Sequence, residues 1–278
     1  MDKLLIVDGS NLLFQMFYGM PARITGKDGR PIQGTLGFVG ALLKILRMVQ
    51  PTHAVVLFDG ECHNPRTDLD ENYKANRPDY EDVPEEELPF SQLPDIFRAL
   101  DVLNIRYAET TECETDDWIA GYALNCDCEV VISSFDSDFF QLINDRVTVL
   151  RYRGNKTVIC DRAYIREKLE IEPEQYAFFK SLTGDTADNI PGVPKVGPKT
   201  AAALLTRFGS LEALIASAET IRQPSIRASV ATHAERIRTN YRLILLENGA
   251  ALPYPIEALT YYHNGMTTGE VLQCIGLK

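Results

Sequence analysis

Three short runs of apolar, largely β-branched residues set the pattern of the chain: KLLIVDGSN at the start, THAVVLFDG before residue 60 and CEVVISSFDSD near residue 130. Each run is continuous rather than alternating, as strands covered on both faces are, so they predict parallel strands of an α/β sheet. An acid follows each run. Ligands of such sheets collect beyond the carboxyl ends of the strands, and Asp8, Asp59 and Asp136 are delivered there. Between the first two runs, GTLGFVGALLKILRMVQP repeats its apolar positions at helical spacing and stops at Pro51. After the third, QLINDRVTVLRYRGNKTVIC predicts a strand pair around the turn at Gly154 and Asn155.

Residues 60–95 break this pattern, being rich in charge and proline and poor in aliphatics. Their composition suits a surface segment, in which Glu85, Glu86 and Glu87 form a solvated face or a helix start. Within it, YKANR would set Lys74 and Arg77 on one helical turn beside Tyr73, two cations and a ring suited to a phosphate backbone and a stacked base. From Pro173 onward the patterns are helical: QYAFFKSLTG, then KTAAALLTRFG, then SLEALIASAETI. A length of 278 residues allows one large domain or two modest ones.

Composition is that of a globular chain, with 45% hydrophobic and 24% charged residues. No apolar stretch is long enough to span a bilayer and no signal peptide is legible, so a cytoplasmic protein without a membrane partner is expected. Six cysteines (Cys62, Cys113, Cys126, Cys128, Cys160, Cys274) form no CxxC pair, and reduced structural thiols are expected. The net charge of −11, from 28 basic and 39 acidic residues, argues against a nucleic-acid partner unless the acids are concentrated. Setting nine of the 39 aside as one cluster leaves 30 acids against 28 bases, room enough for a local basic patch.

Such a cluster is visible. Glu114, Asp116 and Asp117 precede an apolar helix in ECETDDWIAGYAL, and Asp138 stands two residues after Asp136. One acid at a helix start is merely a cap. GDTADNIPGVPKVGPKTA, residues 184–201, adds Asp185 and Asp188 at i, i+3, which one helical turn would point the same way. Nine carboxylates are more than a fold can gather without cations, and oxygen ligands without a His or Cys cluster favour Mg²⁺ or Mn²⁺ over zinc. Two such ions serve in-line displacement at phosphorus, where one activates water and the other stabilises the leaving oxygen. Immediately afterwards, GVPKVGPKTA is a glycine-bracketed hairpin running into an alanine-rich helix, whose first N–H groups can bind phosphate.

The ordered set of Asp8, Asp59 in FDG, Arg66, YKANR, Glu114 to Asp117, Asp136 to Asp138 and GDTADNIPGVPKVGPKTA resembles the bacterial and phage 5'-3' exonuclease and flap endonuclease family, to which the nuclease domain of bacterial DNA polymerase I belongs. The resemblance covers about residues 3–215. It implies a PIN-like, resolvase-like parallel-sheet nuclease domain at residues 1–172, with a helical arch at about 62–95. A helical helix-hairpin-helix, SAM-fold-like DNA-binding domain would follow at 173–278. With no polymerase region after it, the chain looks like a stand-alone, monomeric member.

The implied activity is divalent-metal-dependent hydrolysis of DNA at 5' ends and 5' flaps in replication and repair. By the same resemblance Asp8, Asp59, Glu114, Asp116, Asp117, Asp136, Asp138, Asp185 and Asp188 match the metal-site acids for two Mg²⁺, with Mn²⁺ able to substitute. Lys74 and Arg77 match catalytic arch residues that hold the scissile phosphate, with Tyr73 and Arg66 as further DNA contacts. Lys195, Val196, Gly197, Pro198, Lys199 and Thr200 match the hairpin contact to the DNA backbone. A potassium ion there would lie on the carbonyls of Leu182, Thr183, Pro191, Val193 and Val196. Two positions depart from the family: Gln15 stands where an arginine is usual and Ser137 where a lysine is usual, each removing a cation from the expected DNA path. The alternatives are a junction-binding protein weak in catalysis and a PIN-type ribonuclease; the second has no use for a duplex-backbone hairpin.

Overall fold

The computed structural model describes residues 2–20, 22–26, 29–60, 65–77, 80, 82–84 and 87–277. Cys62, Glu85 and Glu86, and part of the expected arch, lie outside the described residues. The three apolar runs form β1 (Lys3–Asp8), β2 (His53–Phe58) and β4 (Glu129–Ser133), with β3 (Arg106–Glu109) between the last two in sequence. The strand pair is β5 (Val147–Arg151) and β6 (Val158–Cys160). The sheet order is β3-β2-β1-β4-β5-β6, parallel except for the antiparallel β5/β6 edge.

Helices cover both faces: α1 (Gly9–Gly19), α2 (Gln33–Val49), α3 (Leu93–Val102), α4 (Thr115–Asn125) and α5 (Arg162–Leu169). The second half supplies α6 (Tyr176–Thr183), α7 (Pro198–Phe208), α8 (Leu211–Ala216), α9 (Pro224–Thr232), α10 (Ala234–Ile244) and finally α11 (Thr268–Cys274). Side chains alternate along β1, so Leu4 and Ile6 join the core that includes α4, whereas Leu5 and Val7 join the core under α2 and α3. Both sets are buried, which is why the strand reads as an unbroken apolar run.

The first core continues without a break into the helical half, through Phe178, Phe179, Leu182, Ala201 and Leu205. The tail then returns to the sheet domain. The Tyr261 N–H donates to the Thr52 carbonyl at 2.8 Å, the Tyr122 hydroxyl to the Tyr254 carbonyl at 2.8 Å, and α11 packs on α2 and α3. Residues from about 250 on, expected with the helical domain, therefore bury their apolar side chains against the first one. Among the described residues no helix is long and apolar enough to cross a membrane.

One cysteine expectation is corrected: Cys126 and Cys128 form a disulfide. Cys126 ends α4 and the chain bends at Asp127 and Cys128, which brings the two Cα atoms to 5.4 Å, closer than the roughly 6.6 Å between residues i and i+2 of a straight strand.

Candidate active site

Asp8 ends β1 and caps α1, its Oδ1 accepting from the Asn11 N–H at 3.0 Å while Oδ2 accepts from the Ser134 hydroxyl at 2.7 Å. Asp59 follows β2, its N–H donating to Ser10 Oγ at 2.8 Å. Asp136 follows β4, its N–H held by Ser134 Oγ at 3.0 Å. Glu114 is the N-cap of α4 and Asp116 lies in its first turn. These five carboxylates line one cavity of about 640 Å³ beyond the carboxyl edge of the sheet, together with Lys74, Arg77 and the rings of Phe14, Tyr80 and Phe90.

Asp138 begins the 3-10 turn Asp138–Leu142, with its N–H on Asp136 Oδ1 at 2.8 Å. Asp185 and Asp188 come from the helical half. They do not lie on a helical turn as their spacing predicted: the Asp185 and Ile190 backbones exchange hydrogen bonds of 2.8 and 2.7 Å around a tight loop. Gly184 (φ +80°) and Gly192 allow that loop, because a Cβ on Gly192 would meet the Thr183 carbonyl oxygen at 2.3 Å. Lys180, which sequence reasoning missed, pairs with Asp185 at 2.5 Å. Its signal was a lone lysine inside the apolar turn AFFKSL.

Asp117 is turned away from this group. Arg66 Nη1 and Nη2 donate to its two oxygens at 2.9 and 2.8 Å, and Nη1 also reaches Glu114 Oε2 at 2.7 Å. The Arg66 side chain is only 8% exposed, so it organises the acids instead of offering itself to phosphate. Burial works against its charge, but Asp117 and Glu114 outweigh burial and raise its pKa further.

The YKANR segment also departs from expectation. Lys74 has φ 58°, which breaks any helical turn, and Tyr73 is buried with its hydroxyl toward Glu114 Oε2 (3.3 Å) and Asp188 Oδ2 (3.4 Å). No ring face is left for a base. Lys74 lies 4.9 Å from the Tyr73 ring centre and pairs with Glu114. Burial pulls its ammonium down, yet Glu114, Asp188 and Asp116 outweigh burial and leave the pKa above the ordinary value. Arg77 pairs with Asp188 at 3.3 Å and stays 59% exposed.

Burial and like charge strain four of these acids. Burial and the neighbouring Asp59 push Asp8 up to about 7. Asp116 is raised by burial and Asp136 against the pull of Lys74, and Asp138 by burial, Asp136 and Asp185. Asp188 is raised by burial, partly offset by Lys74 and Arg77. Among the described residues no three such groups yet stand at ligand distances. The donor set nonetheless fits hard divalent cations: it is all oxygen, and buried Asp138 Oδ1 has no hydrogen-bond partner.

A pH effect follows for the protein in chelator. A folded-state pKa raised from 3.8 to about 7, as at Asp8, contributes stability that is complete below 4 and lost as pH rises through 7. The melting temperature should therefore fall by about 5 °C between pH 5.5 and 8, and Mg²⁺ should restore it at pH 8. Scanning calorimetry at both pH values checks this; a rise with pH in chelator contradicts the buried acid cluster.

Gln15 donates from Nε2 to the Tyr152 carbonyl at 2.8 Å, so it ties α1 to the chain beyond β5. Ser137 is the N-cap of the 3-10 turn. In the hairpin, Lys195 (φ 67°), Gly197, Pro198 and Lys199 are exposed, whereas Val196 is buried. No side chain caps α7, and its first carbonyl-bound N–H is that of Ala201, so the Lys199 and Thr200 N–H groups point outward. Of the five carbonyls expected to hold potassium, three already accept protein donors: Leu182 from the Val193 N–H, Pro191 from Asn240 Nδ2 and Val193 from the Val196 N–H.

The family profile described as 5'-3' exonuclease, N-terminal resolvase-like domain, matches residues 3–170, and that described as 5'-3' exonuclease, C-terminal SAM fold, matches residues 171–265. DNA polymerase I of Rhizobium leguminosarum is 35% identical over 269 residues, covering 93% of this chain and 26% of that protein. Thermostable DNA polymerase I of Thermus aquaticus is 34% identical over 245 residues, covering 87% and 28%. The chain thus spans little more than a quarter of the length of these relatives. Its fold is similar to that of the T5 5'-exonuclease with zinc bound (TM-score 0.71, 22% identity, 87% of this chain and 89% of that one). It is also similar to a bacteriophage T5 flap endonuclease in a product-like complex with DNA and metal ions (TM-score 0.70, 20% identity, 99% and 93%).

Proposed function

The chain belongs to the 5'-3' exonuclease family, and from that premise we propose that it is a divalent-metal-dependent, structure-specific nuclease hydrolysing DNA at 5' flaps and 5' ends. The observation that carries this reading is the convergence of five carboxylates from two strand ends, a strand-following loop and a helix start on one cavity, with Lys74 and Arg77 at its wall. Asp138, Asp185 and Asp188 extend the same negative field, through Asp136, toward the helical half. Two Mg²⁺ ions, when bound, supply an activated water and stabilise the leaving oxygen. Mn²⁺ has the same ligand preferences.

The protein's own side chains do the positioning. Lys74 is held by Glu114; with a cation bound by that carboxylate, the ammonium would be available to a phosphate oxygen. Arg77, more exposed, meets the strand first. Asp8 is pre-set by its Asn11 and Ser134 bonds, so little reorganisation is needed when it deprotonates. Duplex DNA is the partner of the hairpin, where the Lys199 and Thr200 N–H groups and the Lys195 and Lys199 side chains face outward together.

Lys199→Ala should weaken duplex binding and reduce the salt slope of log K by about one, the effect of one lost phosphate contact. Affinity measured at several salt concentrations checks it; an unchanged slope makes the hairpin a structural turn. The substrate class is tested with 5' flaps of identical sequence in DNA and RNA, in Mg²⁺. The DNA flap should be cut and the RNA flap spared. Equal cutting favours a ribonuclease, and binding of both without cutting favours a junction-binding protein.

A further inference from the structure

The last turn of α10 has no glycine cap; its C-cap Leu245 is extended, and the end carbonyls must find partners elsewhere. They find them on the other domain. Arg66 Nε donates to the Leu243 carbonyl at 3.0 Å and Nη2 to that of Leu245 at 3.2 Å. Gln141 Nε2 donates to the Ile244 carbonyl at 3.0 Å, and its Oε1 accepts the Leu246 N–H at 3.0 Å. The Glu247 N–H donates to Asp117 Oδ1 at 3.0 Å. Five consecutive residues are thus gripped by three side chains.

Those side chains are the ones that hold the acids. Arg66 carries Glu114 and Asp117, and Gln141 Nε2 also donates to the backbone carbonyl of Asp138 at 2.9 Å. At its middle, α10 grips the loop of Asp185 and Asp188 as well: Asn240 Nδ2 donates to the carbonyls of Ser181 (3.0 Å) and Pro191 (2.8 Å). One helix therefore fixes backbone or side-chain groups beside acids from both halves of the molecule. A helix end carries partial negative charge, so a guanidinium and an amide are suitable caps, but a surface cap would not need to contact site acids too.

We propose that Gln141 is a positioning residue of the cation site, with Arg66 as its counterpart, and that divalent-ion affinity depends on their grip on the end of α10. The inference rests on the nuclease reading above, in which these acids hold metal. Groups behind metal ligands typically alter affinity by 10- to 100-fold when removed.

The test uses the full chain and Mn²⁺ as the probe, with free Mn²⁺ followed by electron paramagnetic resonance. Gln141→Leu should bind Mn²⁺ about tenfold more weakly than wild type. Its flap DNA affinity in chelator should match wild type, and raised Mn²⁺ should recover its cleavage rate. Amide exchange should speed up at Leu246, whose N–H loses its acceptor. Arg66→Lys, which keeps the charge but loses the planar fork, should weaken Mn²⁺ binding in the same way and serves if Gln141→Leu does not fold. Unchanged Mn²⁺ affinity in a folded variant overturns the proposal, as does an equal loss of DNA affinity, which would mean that the helical domain has merely undocked. Absence of Mn²⁺ binding by the wild type overturns the nuclease reading together with this one.

Discussion

Asp138→Asn is expected to lower the cleavage rate by about three orders of magnitude while flap binding stays within about twofold. The reasoning starts from burial. Asp138 has a buried Oδ1 with no protein partner, and burial, Asp136 and Asp185 raise its pKa, disfavouring the charged form. A cation relieves that repulsion; an amide cannot supply the charge that holds one, and several kcal/mol of charge stabilisation at the reacting phosphate goes with it. The side chain contributes nothing to the exposed hairpin, so the contacts that set affinity remain. Single-turnover rates in Mg²⁺ beside flap affinity in chelator check both halves. A variant cutting at the wild-type rate would exclude Asp138 as a ligand.

The second large effect is on stability. Arg66→Ala should destabilise the fold by about 3–5 kcal/mol, because it strands Asp117 as a buried, uncompensated charge and leaves Glu114 with Lys74 as its remaining cation. The Leu243 and Leu245 carbonyls lose their donor at the same time. At 2–4 °C per kcal/mol for a chain of this size, the melting temperature should drop by roughly 10 °C. Denaturant melts of wild type and variant measure it. A change below about 1 kcal/mol, together with a loss of DNA affinity, would return Arg66 to the phosphate-contact role that the family resemblance implied.

Much of the sheet and its acids was legible because both follow from local pattern. Continuous apolar runs ending in an acid need only their own residues to be recognised, so β1, β2 and β4 and the positions of Asp8, Asp59 and Asp136 could be read directly. The α2 stop at Pro51 and the β5/β6 pair were local in the same sense. What could not be read depends on partners distant in sequence or on single dihedral angles. Asp117 looks like its neighbour Asp116 until Arg66, 51 residues earlier, is found on it. Tyr73 and Lys74 lie inward because Lys74 adopts φ 58° and Glu114 draws its ammonium in. The return of α11 to the sheet domain was hidden because an amphipathic helix does not name the surface that it covers.

The uncommon charge balance also has a local explanation. The cavity of five carboxylates, with Asp138, Asp185 and Asp188 behind it, concentrates acids on one side, while Lys195 and Lys199 stand exposed on the hairpin. A chain of net charge −11 can therefore meet a phosphate backbone locally. The measurement that bears most directly on the proposed activity is product mapping on a 5'-flap DNA labelled at its 5' end, in Mg²⁺ and in chelator. The expected result is cutting at the flap junction in Mg²⁺ and an intact flap in chelator; an intact flap in both, or the same products in both, would contradict a metal-dependent 5' nuclease.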